Sequence, residues 1–395
     1  MITFDEAVAI IRGLAMPVGR EPVLLADAKG RVLAKAAVAS VDSPPADVSA
    51  MDGYALRDED LLALPASLRV IGESFPGAGF RASVQPGTCV RIFTGAPVPA
   101  GADRIVIQEV VRRDDDLAVI DNHPGAARHV RRQGNDFRAG TTLLAPGRRL
   151  DFRELVAVAG GDLSEIEAWR RPTVRIFGTG DELAPPGMAK AKAGSIPESV
   201  SYGVAALVGN WGGAVIERVH LLDDLELMKR AAAGAVGQTD LIVVTGGASV
   251  GEKDFAKPMF ADHGLELCFA KVAIKPGKPV WLGRAGTSVI MGLPGNPTSA
   301  LVTARLLLAP LIAGLSGVDS RSALRWREAP LAGPLPACGD RETFIRARAA
   351  GDGVEPVSNQ DSSAQKTLAD ADLLVRRLAG APAAAAGDMV PVLDF

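Results

Sequence analysis

Glycines and acidic side chains follow an apolar run in the stretch "VVTGGASVGEKD", residues 243–254. The glycines allow a ligand to approach the backbone closely, and the serine offers a hydroxyl group. Acids such as those at its end could hold Mg²⁺, which prefers carboxylate and phosphate oxygens. The alternative is a surface loop with solvated charges. The candidate site residues of this loop are Gly246, Gly247, Ser249, Gly251 and Asp254.

A second loop, "LPGNPTSA" at 293–300, combines two prolines and a glycine with the start of a predicted helix. The prolines fix the backbone, the glycine permits an unusual dihedral, and Thr298 or Ser299 could cap the helix. Free N–H groups and the helix dipole make such a start an anion site. The alternative is an ordinary strand-to-helix turn. The candidate binding residues here are Pro294, Gly295, Asn296, Pro297 and Thr298.

Further acids stand at two other predicted strand ends, Asp181 and Glu182 in "GTGDEL" and Asp223 and Asp224 in "LLDDLELM". Acids from several strand ends of one sheet converge in space, and acids facing a phosphate need cations between them. Lysines beside a phosphate neutralise its charge as point donors, although a KPGK sequence alone is most often an exposed turn. The stretch around "AIKPGKP" supplies Lys271, Lys275 and Lys278.

Another carboxylate stands in "SPPADVSAMDGYAL", residues 43–56, where Asp52 and Gly53 form a strong turn signal. Such a turn can deliver a carboxylate to a site, although more often it is only a turn. This stretch lies within residues 21–170, which are rich in Pro, Gly and short alternating runs. They predict a β-rich region with many turns.

The loops of residues 172 to about 315 separate alternating strand and helix patterns. This alternation predicts a parallel sheet with helices on both faces. Ligands of open α/β sheets bind outside the carboxyl ends of the strands, which is where the glycine-marked loops stand. Thr3 and Glu6 give the first segment a capping box and predict an N-terminal helix. Residues 320–395 predict a small β domain.

Size and composition limit the class of protein. A chain of 395 residues predicts two to four domains, and 48% apolar with 23% charged residues is typical of a soluble globular protein. The net charge of −3 argues against a general nucleic-acid binder. Three separated cysteines fit reduced cytosolic thiols. With an acidic start instead of a signal peptide, and no apolar run expected to span a bilayer, we expect a cytoplasmic protein without membrane contact.

Taken together, seven stretches resemble the molybdopterin molybdenumtransferase family, which comprises the MoeA proteins and the E domain of gephyrin. They occur in the family's order and spacing over most of residues 43–310. They are "SAMDGYAL", "RIFTGAPVPAGADRIVIQE", "RRQGNDFRAG", "GTGDEL", "TGGASVGEKDF", "AIKPGKP" and "GLPGNPTSA".

The resemblance implies a multidomain fold of α/β and β parts in an elongated homodimer. Residues 1–20 and 172–318 would form a three-layer α/β molybdopterin-binding domain. Residues 21–42 and 136–171 would form a linking domain, 43–135 a β-rich protruding domain, and 319–395 a β-barrel-like C-terminal domain. The active site would lie between the α/β domain of one subunit and the protruding domain of the other.

The resemblance also implies the reaction. The family takes adenylylated molybdopterin and molybdate, cleaves the bond to AMP, leaves molybdenum on the dithiolene and needs a divalent cation such as Mg²⁺. The metal ligands and pterin-side contacts would be Glu182, Asp223 and Asp254. Phosphate or molybdate would bind Lys271 and Lys275. The partner subunit would supply Asp52, Thr94 and Asp136. In the tail, "GDRETFIR" and "SNQDSSAQ" resemble the last two site segments and nominate Arg341 and Ser362.

One stretch, "SIPESVSYG", departs from the family's pattern. Pro197 stands where tyrosine is usual, Glu198 replaces an aspartate and Val200 replaces an asparagine. These positions lie near the pterin pocket in the family's pattern. Two alternatives therefore remain beside the molybdenum-inserting enzyme. One is a diverged member that binds a pterin or nucleotide but acts on something else, and the other is a non-catalytic scaffold.

Overall fold

A six-stranded sheet lies at the centre of the computed structural model, which describes residues 1–246 and 255–395. In chain order its strands are β1 (Thr173–Thr179), β2 (Ala214–Leu221), β3 (Leu241–Thr245), β4 (Glu266–Phe269), β5 (Trp281–Ala285) and β6 (Ser288–Leu293). They are ordered β2-β1-β3-β6-β5-β4. The first four in this order pair in parallel, so their carboxyl ends meet at one edge.

The prediction of a parallel sheet is wrong for β5 and β4, which pair antiparallel. Ala285 of β5 pairs directly with Ser288 of β6, which leaves only two residues for the connection. A parallel pair needs a crossover of a dozen or more residues, whereas a two-residue turn joins antiparallel strands. The short connection therefore decides the direction of β5.

Helices cover both faces of this sheet. On one face lie α1 (Phe4–Leu14), α3 (Val200–Asn210) and α5 (Pro297–Leu315), and on the other lies α4 (Leu225–Ala235). Successive side chains of β3 point to opposite faces of the sheet. Val243 therefore packs with the helices α1, α3 and α5, while Ile242 and Val244 pack on the face that α4 covers. Burying each such side chain on folding contributes about 1.5–3 kcal/mol to the free energy of unfolding.

Two of these helices illustrate how the sequence sets their limits. α1 begins with the predicted capping box, in which Thr3 and Glu6 each accept a hydrogen bond from the other's backbone N–H. Within the described residues, α5 alone is long and apolar enough to cross a membrane by length and composition, which corrects the expectation that no run reaches that length. It is 94% buried inside this fold, because it forms the centre of the helical layer.

A second six-stranded sheet forms the β-rich region. Its strands, in spatial order, are Arg104–Ile107, Gly53–Leu56, Thr88–Ile92, Ala66–Ser74, Leu117–Ile120 and Arg112–Asp114. Asp52 immediately precedes the second of these strands.

A third sheet contains the strands of the tail. In spatial order they are Ile274–Lys275, Glu342–Ala350, Leu373–Arg377, Met389–Asp394 and Arg327–Pro330, with Gly353–Pro356 paired to the second. The short strand Ile274–Lys275 comes from the loop between β4 and β5. It therefore joins the tail sheet to the central α/β layer.

Shorter pairs and one helix connect these parts. Helix α2 (Phe152–Gly160) begins at Asp151, whose carboxylate accepts from two backbone N–H groups of the first turn. The two-stranded pairs are Arg20–Leu24 with Glu165–Trp169, Ala37–Val38 with Thr142–Leu144, Val48–Ser49 with Val130–Arg131, and Leu183–Ala184 with Ile196–Pro197. A short helix, α6 (Gln365–Ala369), precedes strand Leu373–Arg377.

Candidate active site

A cleft of about 630 Å³ opens at the carboxyl ends of β1, β3 and β6. This is the edge at which parallel α/β sheets bind ligands, because loops there are free to vary while the strands hold their ends in place. Four groups of its lining residues matter here: acids after β1 and β2, glycines and prolines after β3 and β6, residues 196–200, and a tail segment that includes Ser363 and Gln365.

The floor of the cleft is made of closely packed backbone. Gly246, directly after β3, has φ +93°, and a Cβ atom there would stand 2.7 Å from the carbonyl oxygen of Thr179. A Cβ on Gly295 would stand 3.4 Å from the Cα atom of Gly246. Only glycine fits at Gly246, both for its dihedral and for its contact. The loops after the strands therefore approach one another more closely than side chains allow.

Among the described residues, three acidic residues line the cleft: Glu182, Asp223 and Glu198. Gly180 has φ +143°, and a Cβ atom there would lie within 2.6 Å of the Glu182 carboxylate, so the glycine leaves room for this side chain. The Asp223 N–H donates to Oδ1 of Asp181 at 3.1 Å, which joins the loops after β1 and β2. The acids after these two strands therefore do converge in space, as their positions in the sequence predict.

The start of α5 forms the opposite side. Asn296 is its N-cap and Pro297 its first residue, while Ser299 also lines the cleft. The Asn296 amide donates to Oγ of Ser362 at 2.9 Å, and the Thr298 N–H donates to the Ser362 carbonyl at 3.0 Å. The tail segment is thus fastened to a helix N-terminus, whose dipole favours anions.

Residues Ile196 to Val200 make a further wall. Glu198 is only 8% exposed, and its carboxylate accepts from the Ser201 N–H at 2.8 Å and from the Ser201 hydroxyl at 2.6 Å. It therefore caps the start of α3, a task that the N-cap Ser199 does not perform with its own side chain.

Comparison with known proteins identifies the family. The profile of the MoeA N-terminal region (domain I and II) matches residues 2–160, that of a probable molybdopterin binding domain matches 175–314, and that of the MoeA C-terminal region (domain IV) matches 328–395. The molybdopterin molybdenumtransferase of Haemophilus influenzae is 35% identical over 332 residues, covering 84% of this chain and 80% of its own. That of Synechococcus elongatus is 34% identical and covers 95% of both chains. The chain belongs to the MoeA family.

A solved structure agrees with this placement. The molybdopterin biosynthesis MoeA protein of Pyrococcus horikosii has a TM-score of 0.85 and 28% identity, covering all of this chain and 99% of its own. The predicted fold class, a multidomain MoeA-like arrangement of one α/β and several β-rich parts, is confirmed.

The predicted site residues of this MoeA-family chain fall into three places. The first is the cleft, which the structure lines with Glu182, Asp223, Gly246, Pro294, Gly295, Asn296 and Pro297. Their roles in binding or catalysis stay predictions. Four further residues of the same prediction, Gly247, Ser249, Gly251 and Asp254, lie outside the described residues.

The second place is the junction with the tail sheet. The side chains of Lys271, Lys275 and Lys278 are exposed and do not line the cleft, although Pro279, next to Lys278, does. Arg341 lies beside them and donates to the Ile274 carbonyl at 3.4 Å. The predicted binding of phosphate or molybdate by Lys271 and Lys275, and of substrate by Lys278 and Arg341, remains a prediction.

The third place is on and beside the β-rich sheet. Oδ1 of Asp52 accepts from the Thr94 N–H at 2.7 Å and from the Thr94 hydroxyl at 2.8 Å. These bonds, the backbone bond first, hold the pKa of the Asp52 carboxyl below its usual value. Asp136 is exposed, and its N–H donates to the Ser43 carbonyl. None of the three lines the cleft of its own chain.

Two details of the sequence-based prediction need correction. Thr298 is fully buried and neither caps α5 nor faces the cleft, because its N–H and hydroxyl are both bonded to the tail segment. Asp224 does not join the other acids, since its carboxylate caps α4 by accepting from Glu226 and Leu227. In both cases a hydrogen bond within the protein, long-range for Thr298 and local for Asp224, fixes a polar side chain that the sequence offers to a ligand.

Sequence reasoning missed several residues of the site. Thr179 and Thr245, the last residues of β1 and β3, line the cleft, as do Ser363 and Gln365 of the tail segment. The threonines could have been found, since both end predicted strands. Sequence reasoning also missed Arg346, which is fully buried behind the tail segment. Its one signal in the sequence is that a charged residue occupies an inward-facing position of a strand.

Proposed function

We propose that this protein cleaves adenylylated molybdopterin to release AMP while it transfers molybdenum from molybdate to the pterin dithiolene. As a MoeA-family molybdopterin molybdenumtransferase, it is a transferase of molybdenum cofactor biosynthesis that inserts molybdate. AMP release and dependence on a divalent cation are the proposed additions.

One observation carries the proposal: acids, close-packed backbone and a helix N-terminus surround a single cleft. A phosphate-bearing ligand needs N–H donors, which helix starts and glycine loops supply. The start of α5 and Gly246, which directly follows β3, both line the cleft, and a Cβ atom on Gly295 would stand 3.4 Å from the Gly246 Cα atom. A phosphate group bound at this place would lie within the part of the cleft that the acids also line.

A divalent cation fits this arrangement of residues. Mg²⁺ is usually held by one or two carboxylates together with phosphate oxygens and water. Among residues 1–246 and 255–395 no three His, Cys, Asp or Glu side chains form a complete metal site. Glu182 and Asp223 are the proposed protein ligands, with Asp254 as a third, and the cation would neutralise charge on the phosphates when bound.

We also propose a cytoplasmic homodimer with shared active sites. Asp52, Thr94 and Asp136 do not line the cleft of their own chain, so the proposal assigns them to the cleft of the partner. Mixing subunits that carry Asp52→Asn with subunits that carry Glu182→Gln tests it. After subunit exchange half of the dimers pair the two variants and regain one intact site, so about a quarter of wild-type activity should return. No recovery beyond the sum of the separate variants would contradict shared sites.

The division into domains belongs to the same proposal. It assigns residues 1–20 and 172–318 to the α/β domain, 21–42 and 136–171 to the linking domain, 43–135 to the protruding domain and 319–395 to the C-terminal domain. The packing of α1 against the central sheet supports the first of these assignments.

A second candidate function rests on the wall at Ile196 to Val200. Pro197 and Val200 line the cleft and offer apolar surface where the family pattern has polar side chains. A diverged member with this wall would still bind a pterin or nucleotide but would act on another substrate.

One assay separates these functions. The purified protein receives adenylylated molybdopterin, molybdate and Mg²⁺, and both AMP release and cofactor formation are measured. Both products are expected. AMP without cofactor would favour the diverged enzyme, whereas absence of binding would favour a scaffold and would refute the proposal.

A further inference from the structure

Arg346 is a buried arginine that contacts no part of the cleft directly. It lies on strand Glu342–Ala350 of the tail sheet and is 1% exposed. One guanidinium nitrogen donates to Oγ1 of Thr298 at 3.2 Å, at the start of α5. The other donates to the carbonyls of Asn359 and Asp361, both at 3.0 Å. The side chain thus joins the α5 start to the segment of residues 359–367.

The same segment is also held from the backbone of Arg346. Gln360 accepts from the Arg346 N–H at 3.1 Å and donates back to the Arg346 carbonyl at 2.8 Å. Ser362, inside the segment, then accepts from Asn296 and from the Thr298 N–H. Its neighbour Ser363 lines the cleft.

The partners of Arg346 indicate why an arginine stands here. Among the described residues no carboxylate pairs with it within ion-pair distance, and its side-chain hydrogen bonds go to neutral oxygens. Burying a charge without an ion pair is costly, so packing alone would favour an apolar side chain. The planar guanidinium, however, can reach carbonyls on two sides of a loop from fixed positions, which a lysine cannot do.

We propose that Arg346 is a positioning residue of the active site, which holds segment 359–367 against the start of α5 and so sets the place of Ser362 beside Asn296 and of Ser363 in the cleft. This inference rests on the proposed function for its catalytic consequence. Its structural consequence, an ordered segment, is independent of that function.

The test compares Arg346→Lys and Arg346→Gln with Arg348→Gln. Arg348 lies two positions along the same strand, but it is exposed and forms an ion pair with Glu355. Gln360→Ala is a milder variant that loosens the same segment from its exposed side, in case the buried substitutions do not fold. Hydrogen exchange of the amides of 359–367 and the steady-state KM and kcat are measured well below the melting temperature.

Faster exchange confined to segment 359–367 is expected for both Arg346 variants and for Gln360→Ala. The KM for adenylylated molybdopterin should rise about tenfold, more than kcat falls, since a small misplacement of a binding group costs this much or more. Adding Ser362→Ala to Arg346→Gln should raise KM by less than Ser362→Ala does in the wild type, because both changes act on the same contact. Arg348→Gln should change none of these quantities.

Two results would overturn the inference. In one, Arg346→Lys matches the wild type in exchange and KM. In the other, exchange rises over the whole tail sheet while KM stays constant, which makes Arg346 merely structural. A wild-type protein without turnover would instead contradict the proposed function, and the exchange comparison would then decide on Arg346 alone.

Discussion

Replacing Gly246 by alanine tests the geometry of the cleft floor. The added Cβ atom meets two obstacles at once: φ of +93°, which L-residues avoid, and the Thr179 carbonyl oxygen at 2.7 Å. The second obstacle is backbone, so no side-chain rotation can relieve it. To accept the methyl group, the ends of β1 and β3 must move apart.

The free-energy cost of each obstacle can be approximated separately. A left-handed dihedral costs an alanine about 1–2 kcal/mol, and forcing one methyl group into a packed place costs about 1–3 kcal/mol. The alanine also reduces the entropy of the unfolded chain, which offsets about 0.4–1 kcal/mol. We therefore expect Gly246→Ala to lower the free energy of unfolding by about 3 kcal/mol in sum.

Gly237→Ala is the matched control. Gly237 also has a left-handed dihedral, φ +77°, and lies in the same part of the chain, but a Cβ atom there meets nothing within 4 Å. Its cost should be about 1 kcal/mol or less. Urea unfolding measures the free energy of unfolding of both variants. The two values should differ by about 2 kcal/mol, which is the cost of the contact with Thr179.

The same two variants also test whether the close packing of the cleft floor is needed for catalysis. Gly246→Ala should reduce kcat/KM by about tenfold or more, because separated strand ends displace the groups on either side. Gly237→Ala should keep wild-type kinetics. If Gly246→Ala is as stable as Gly237→Ala and equally active, the close approach of these backbones has no role in the site and the reasoning fails.

Three further predictions concern single side chains. Hydrogen bonds from Arg170 and Thr173 outweigh burial and keep the pKa of Asp240 low, so its stabilisation is present above about pH 4 and lost at lower pH. Asp240→Asn should therefore lower the free energy of unfolding by about 2 kcal/mol at pH 7 and less in acid titrations. Asp52→Asn should lower the melting temperature only slightly, because its amide oxygen can still accept the two Thr94 bonds, and should lower turnover about tenfold. Burial raises the pKa of the Cys89 thiol to about 12, so thiol reagents should leave it unmodified at pH 8 until unfolding.

The central sheet was predictable because its signals are local. Leu241–Thr245 is a short apolar run that ends in glycine, and all five of its residues are buried. The capping boxes of α1 and α2 follow from the identities of single residues and fix where each helix begins. Such signals depend on the backbone within a few residues, so tertiary contacts do not override them.

Other features depend on contacts that the sequence does not display. Thr298 looks like a cap, yet its hydroxyl bonds to Ala364, which lies 66 positions away. The partner of Asn296 in the cleft is likewise Ser362, from the tail. A pattern-based argument assigns polar side chains to ligands because it cannot know which of them the rest of the chain will occupy.

The departures at Pro197 and Val200 affect recognition and chemistry unequally. They lie on the wall made by 196–200, as does Glu198, whereas the acids Glu182 and Asp223 belong to the loops after β1 and β2. On the same wall, each carboxylate oxygen of Glu198 already accepts one hydrogen bond from Ser201. We therefore expect the changed wall to alter which ring the cleft accepts, while the acids and the start of α5 stay in place. For this reason AMP release and molybdenum insertion must be measured separately, since we expect the changed wall to affect the second more than the first.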